Sequence, residues 1–470
     1  MSLQASAADA CDWTQGELLR GDAAQTFDAT VIDSREVSAG SLFVAIVGPN
    51  HDAHRFVDQV LRRDAAGVIV STEPELNPSP TDSAPDNGFV LLVKDTTRAL
   101  ADLAHGHRQS FEGPLIGITG SNGKTTTKDL CAGILERIGT TLATRGNLNN
   151  NFGVPLTLLR RSEGTDYAVI EMGMNHRGEI STLVEIAQPG IGILTNVGSA
   201  HIEFLGSREA IAEEKGDLLA SLPDAGTAVV GRDDPLAFAQ AKRSTARILS
   251  FGRSPSADLC ASEIRATRDG NFHFRLESPF GQAEVRVTGL AETIVENALA
   301  AAGGAFAAGA SIAAVVEGLA DHPGVPGRMQ PRRLRDDVLL IDDSYNANPQ
   351  SMQIALETLA RVETSGHRIA VLGDMGELGS EGEIAHHEAG RLAGSLDLDE
   401  LFLLGSMAER VAAGAREAGL TGERIHIEED HDSLARTLCE IMARGDRILV
   451  KGSRAAAMER IVQALLERSR

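Results

Sequence analysis

The stretch LIGITGSNGKTTT, residues 115–127, limits what this chain can fold into more than any other segment. An apolar run of strand type, LIGIT, leads through a glycine turn directly into Lys124 and three threonines. Strand, glycine turn and a helix opening on Lys-Thr is a unit of parallel α/β sheets that holds a phosphate chain. The glycines let backbone N–H groups turn toward phosphate oxygens, and the helix presents its positive end to them. Gly120, Ser121, Asn122, Gly123, Lys124, Thr125 and Thr126 are therefore the expected nucleotide cradle. Lys124 would neutralise the outer phosphates and the Thr125 hydroxyl would ligate Mg²⁺. The loop is short, with Ser121 and Asn122 alone between Gly120 and Gly123, where the usual phosphate loop has four residues.

A chain of 470 residues exceeds a single core, and three sections are expected. Residues 1–110 carry strand candidates such as SLFVAIVG and FVLLVKD, with a Pro/Ser/Asp-rich surface loop at 74–88. Residues 111–325 alternate strands (YAVIE, IGILT, TAVVG) with helical segments, the pattern of a parallel sheet with crossover helices. A Pro/Gly-rich segment, HPGVPGR at 322–328, reads as a hinge, and 326–470 repeats the alternation as a second doubly wound sheet. The formal charge of −22 argues against a nucleic-acid partner. Four widely spaced cysteines argue against a disulfide framework or structural zinc. The uncharged stretch 298–316 is long enough to suggest a membrane span, but its Ala/Gly content and the GAS break at 309–311 favour two short packed helices. A soluble, cytoplasmic monomer without membrane insertion is expected.

Ligands of open α/β sheets collect at the carboxyl ends of the strands. Six strand exits here carry polar residues a core would not use: those at Gly120, Glu171, Thr195, Asp342, Gly373 and Lys451. Glu171 alone would read as a solvated loop carboxylate, and His201 as a neutral core histidine. Their shared place at one sheet edge favours a site for Mg²⁺, which prefers hard oxygen ligands.

The loop TGSNGKT, the exit TNVGSAHIEFLGSREAIAEEKGDL and the segment DDSYNANPQSM together resemble the Mur ligases of peptidoglycan synthesis. The resemblance runs from DSREVSAGSLFVAIVG (33–48) to LVKGSRAAAME (449–459). It implies a small N-terminal α/β domain for the UDP substrate, a central ATPase domain and a C-terminal Rossmann-like domain. The DSYNANP form further implies ATP-dependent joining of D-alanyl-D-alanine to UDP-MurNAc-tripeptide through an acyl phosphate, with two Mg²⁺ ions. Alternatives are a third-residue-adding Mur ligase, a folylpolyglutamate synthase, or a nucleotide switch that forms no bond.

Carried over by motif, Asp33, Ser34 and Arg35 would hold the UDP end, and Asn147, Asn149 and Asn150 the UDP-sugar unless they only cap loops. Glu171 and His201 match the Mg²⁺ positions, and Lys215 matches a lysine that the family carries as a carbamate; by itself it would read as a surface lysine on an acidic helix. Asn297 matches an asparagine near the adenine, although Thr293 stands where the family usually has histidine. Arg328 matches the hinge arginine that reaches the ATP phosphates, and Asp343 an aspartate facing the ribose. Tyr345, Asn346 and Asn348 are expected at the dipeptide pocket. Lys451 and Arg454 would contact anionic groups or form a solvated helix start. His201 or a carboxylate near the metals would take the amine's proton.

Overall fold

The computed structural model describes residues 5–74, 88–267 and 270–468. Residues 75–87, most of the expected loop at 74–88, lie outside them. Three sheets organise the chain. Near the N-terminus, Glu17–Arg20, Phe89–Leu92, Gly67–Val70, Ser41–Val44 and Ala29–Val31 lie side by side in that order. All pair in parallel except the first. The nine-stranded central sheet has Leu115–Thr119 between Tyr167–Glu171 and Ile191–Leu194. Thr141–Ala143 lies outside the former, and Thr227–Gly231, Arg247–Gly252 and Leu259–Ala266 continue in parallel beyond the latter. The chain thus winds one way from Leu115–Thr119 and then returns to wind the other. The carboxyl end of that strand is the switch point where open sheets bind ligands.

The parallel reading of this section stops at Leu259–Ala266. Asn271–Ser278 and Gly281–Thr288 follow as antiparallel strands, because the short connections leave no room for a crossover helix. Both faces of the sheet are covered. The helices Lys124–Leu135, Thr293–Ala307 and Ile312–Ala320 bury one apolar face, and Glu179–Ala187 and Arg208–Ala220 the other. The uncharged stretch at 298–316 is thereby divided between two helices, the second N-capped by Ser311. Among the described residues no helix is long and apolar enough to cross a membrane.

In the third sheet, Leu339–Asp343, Arg447–Lys451, Arg368–Gly373, Glu400–Leu404 and Ile425–Glu428 are parallel neighbours, with Gln330–Arg333 antiparallel at one edge. The last long strand inserts between the first and second, so the exits of Asp343 and Lys451 lie in register. The segment before this sheet turns tightly at a bridge between Val325 and Arg328.

The helix Thr96–Gln109, capped by Asp95, joins the N-terminal and central sheets. Its Arg108 donates to the carbonyls of Ala187 and Gln188 at 2.8 and 3.0 Å. Beside it His107 is buried edge-on to Trp13, with Arg161 donating to its carbonyl. Burial, aided by the Arg161 charge, pushes the His107 imidazole down to about 4 from 6.5. Below pH 6.5 the unfolded chain therefore binds a proton that the folded chain refuses, so stability falls as pH falls until about 4. The full loss is on the order of 3 kcal/mol. His107→Leu should flatten this slope in thermal melts between those two pH values; an unchanged slope would assign the acid sensitivity elsewhere.

Candidate active site

The strand Leu115–Thr119 is wholly buried, and its chain turns into the following helix through Gly120 and Gly123. Neither glycine admits a side chain. A Cβ on Gly120 would sit 1.8 Å from Thr195 Oγ1, and one on Gly123, at φ +81°, 2.2 Å from Asn297 Oδ1. The first intrahelical bond runs from Thr127 N–H to the Gly123 carbonyl. The amides of Lys124, Thr125 and Thr126 thus precede it and have no intrahelical acceptor. Lys124 folds back, its Nζ donating to the Gly120 carbonyl at 2.8 Å. Burial lowers its pKa; the Glu171 and Glu377 carboxylates oppose the shift and Arg328 adds to it.

This loop forms one wall of a cavity of about 930 Å³ between the central and C-terminal sheets. His201, Asn297 and Thr293 also line it from the central section. Arg328, Asp343, Asn346, Asn348, Lys451 and Arg454 line it from the hinge and the C-terminal sheet. Residues as far apart as Ser121 and Ala455 are brought to one space because both sheets point their carboxyl ends at it.

Two expected residues stand behind Lys124. Glu171 is 2 % exposed; Asn149 donates to its Oε1 at 2.8 Å, while Oε2 has no hydrogen-bond partner among the described residues. Lys215 is fully buried on the helix Arg208–Ala220, and its Nζ likewise has no partner among them. The neighbouring Glu214 does not neutralise it, because that carboxylate accepts the amides of Gly178 and Ile180 at the start of another helix. Burial drives the Lys215 amine well below the ordinary lysine range; the Lys124 charge adds to this and Glu214 opposes it. The surface-lysine and solvated-glutamate alternatives are both overturned, since neither side chain meets water.

Other placements sharpen or correct the sequence expectations. Lys451 is not a solvated helix start: it is buried, with Nζ 2.5 Å from Asp343 Oδ2 and 2.9 Å from the Asn346 carbonyl. Burial raises the Asp343 pKa, opposed chiefly by Lys451. Tyr345 lies outside the cavity wall, with the Arg328 guanidinium 4.4 Å and that of Arg454 5.9 Å from its ring centre. Asn150 caps the amides of Phe152 and Gly153, and Asn149 serves Glu171. Asn147, Asn149 and Asn150 also lie off the cavity wall. So do Asp33, Ser34 and Arg35, which follow the outer strand Ala29–Val31 of the N-terminal sheet. There the Arg35 guanidinium pairs with Asp33 at 2.6 Å and holds its carboxyl down to about 2.

Glu377 was not singled out from sequence, although it follows the Gly373 strand exit. Its Oε2 lies 2.7 Å from His201 Nδ1 in ion-pair contact, outside hydrogen-bond geometry, and the nearness of His201 lowers its pKa. His201 is thus neither a core histidine nor free, but paired across the two sheets. Among the described residues no three His, Cys, Asp or Glu side chains converge as a metal cage. Mg²⁺ is ordinarily held by one or two carboxylates together with substrate phosphates and water. The unpartnered Glu171 oxygen beside the Thr125 loop fits that mode.

The Mur ligase middle domain family matches residues 118–305, and the Mur ligase, glutamate ligase domain family matches residues 327–454. The UDP-N-acetylmuramoyl-tripeptide–D-alanyl-D-alanine ligase of Escherichia coli (strain K12) is 38% identical over 461 residues, covering 97% of each chain. The chain belongs to the Mur ligase family. Among solved structures, MurF from Acinetobacter baumannii superposes on this Mur ligase with a TM-score of 0.88, at 32% identity over 99% of each chain. MurF ligase from Thermotoga maritima in complex with ADP gives a TM-score of 0.80, at 30% identity over 93% of this chain and 97% of that one. Both families thus meet at the cavity, one supplying the glycine loop and the other the 343–348 segment.

Proposed function

We propose that this Mur ligase joins D-alanyl-D-alanine to UDP-N-acetylmuramoyl-tripeptide at the expense of ATP. The observation that carries this reading is the meeting, in one cavity, of the glycine loop with the DSYNANP segment, backed by two buried groups that lack partners. The end-to-end likeness to the Escherichia coli ligase supports the choice of substrates. Residues 1–110 would hold the UDP end through Asp33, Ser34 and Arg35, residues 111–325 the ATP, and residues 326–470 the dipeptide. A monomer is the expected active unit, and four free cysteines suit a reducing cytoplasm.

Two anions must meet for the first step. The loop amides and Lys124 would hold the β- and γ-phosphates, with Arg328 approaching from the hinge. A tripeptide carboxylate oxygen then bonds to the γ-phosphorus as the bond to ADP breaks, giving an acyl phosphate. Bound Mg²⁺ would supply further charge neutralisation there; Thr125 and Glu171 are the residues that fit it, with His201 and a carbamate on Lys215 adjoining. The dipeptide amine next attacks the activated carbonyl, loses a proton, and expels phosphate. Tyr345, Asn346 and Asn348 would orient the dipeptide, Asn297 the adenine and Asp343 the ribose. Because an acyl phosphate hydrolyses readily, the two sheets that enclose the cavity also serve to keep water out.

Phosphate release from ATP against a panel of UDP-muramoyl peptides and amino acceptors tests the assignment. Release should require both UDP-MurNAc-tripeptide and D-alanyl-D-alanine. Turnover with UDP-MurNAc-dipeptide and a diamino acid, or with folate and glutamate, would replace it by a related ligase; ATP hydrolysis indifferent to both would leave a nucleotide switch.

A further inference from the structure

The side chain of Asn122 has a use that a phosphate cradle does not require. Its backbone is fixed from within the central sheet. Thr195 Oγ1 and Asn196 Nδ2 donate to its carbonyl at 2.7 and 2.9 Å, and its amide donates to Asn196 Oδ1 at 3.0 Å. The side-chain amide instead crosses the cavity. Its Oδ1 accepts from Asn348 Nδ2 at 2.8 Å, and its Nδ2 donates to Gln350 Oε1 at 2.9 Å. Donor and acceptor are both matched, so the two contacts fix the orientation of the amide.

The partners are not generic surface groups. Asn348 is the N-cap of the helix Pro349–Arg361, spending its Oδ1 on the Ser351 amide and leaving Nδ2 for Asn122. Gln350 lies in the first turn of that helix and packs so close to Gly198 that a Cβ there would come within 2.5 Å of its Oε1. The phosphate loop is thus tied to the start of the C-terminal helix by residues 226 and 228 positions away.

We propose that Asn122 is a positioning residue that couples occupancy of the phosphate loop to the dipeptide segment 343–350; this rests on the functional reading above. A phosphate chain would sit on the loop whose Asn122 backbone Thr195 and Asn196 already hold, and the two side-chain bonds tie that loop to the helix start that carries Asn348. By linkage, whatever orders one end favours the other.

The test uses the full chain with Asn122→Ala, Gln350→Ala and the double variant. Asn348 stays intact because it caps its helix, and Gln350 is exposed, so that variant keeps its fold. With ATP and UDP-MurNAc-tripeptide saturating, each single change should raise the D-alanyl-D-alanine KM about five- to tenfold with little change in kcat. The double variant should be no worse than the weaker single one, since both changes cut one connection. ADP affinity by calorimetry should fall less than about threefold. Additive losses, a fall in kcat at unchanged KM, or an effect confined to ADP affinity would overturn the coupling. If the unaltered enzyme releases no ADP with these substrates, the functional reading itself fails. Small-angle scattering of the ADP-bound chain then decides the coupling: expansion in both single variants supports it, and curves superimposable on the unaltered chain overturn it.

Discussion

Lys124→Ala should lower ADP release at least 10³-fold, a loss of about 4 kcal/mol in transition-state stabilisation. The side chain is held by the Gly120 carbonyl at the head of the loop, with Arg328 as a second cation on the opposite wall. Charge on the transferring phosphoryl group must be met there, because little else in phosphoryl transfer is left for a protein to do. Lys124→Arg should also fail badly, since a flat guanidinium cannot take the place of a compact ammonium under the Gly120 carbonyl. Folding should survive both changes: the lysine makes one hydrogen bond and its burial is itself costly. Steady-state ADP release and thermal melting of the same samples separate these effects. Turnover within tenfold of the unaltered enzyme would remove the phosphate assignment.

Lys215→Met should leave stability nearly intact and lower turnover by about 10²- to 10³-fold. A buried amine with no hydrogen-bond partner among the described residues is costly for a core, and methionine fills a similar volume without that cost. The same burial disfavours the charged amine, and the neutral form is the one that can attack CO₂; one proton is released and a carbamate anion results. That anion would face Lys124, whose charge acts on Lys215. Enzyme equilibrated with ¹³C-bicarbonate should therefore show a protein-bound carbamate carbon that is missing from Lys215→Met. Full activity in that variant, or a carbamate signal that persists in it, would assign Lys215 to packing alone.

Much of this was legible along the chain. The glycine spacing at 120–123, the strand exits and the Pro/Gly segment at 322–328 are local features, and local chemistry dictates them. The GAS break likewise separated the two helices around residues 309–311, and apolar runs placed several parallel strands of the central and C-terminal sheets. The antiparallel extension beyond Leu259–Ala266 was less visible, because these half-buried strands pair by tertiary register rather than by a strong apolar run. Glu377 and Gln350 lie within the Gly373 exit and the DDSYNANPQSM segment but were not singled out, since each acquires its role only from a partner that is far away in sequence.

What the sequence alone determined is the chemistry available: a phosphate loop, carboxylates, amides and cations, each delivered to the end of a strand. Only the tertiary structure decided which of these meet. Backbone preferences and apolar periodicity act over a few residues, whereas pairing depends on how two sheets face each other. Lys451 reads the same as a solvated lysine until Asp343 is set beside it in register. Lys215 reads as a surface lysine until Glu214 is drawn away by another helix and the amine is left buried alone.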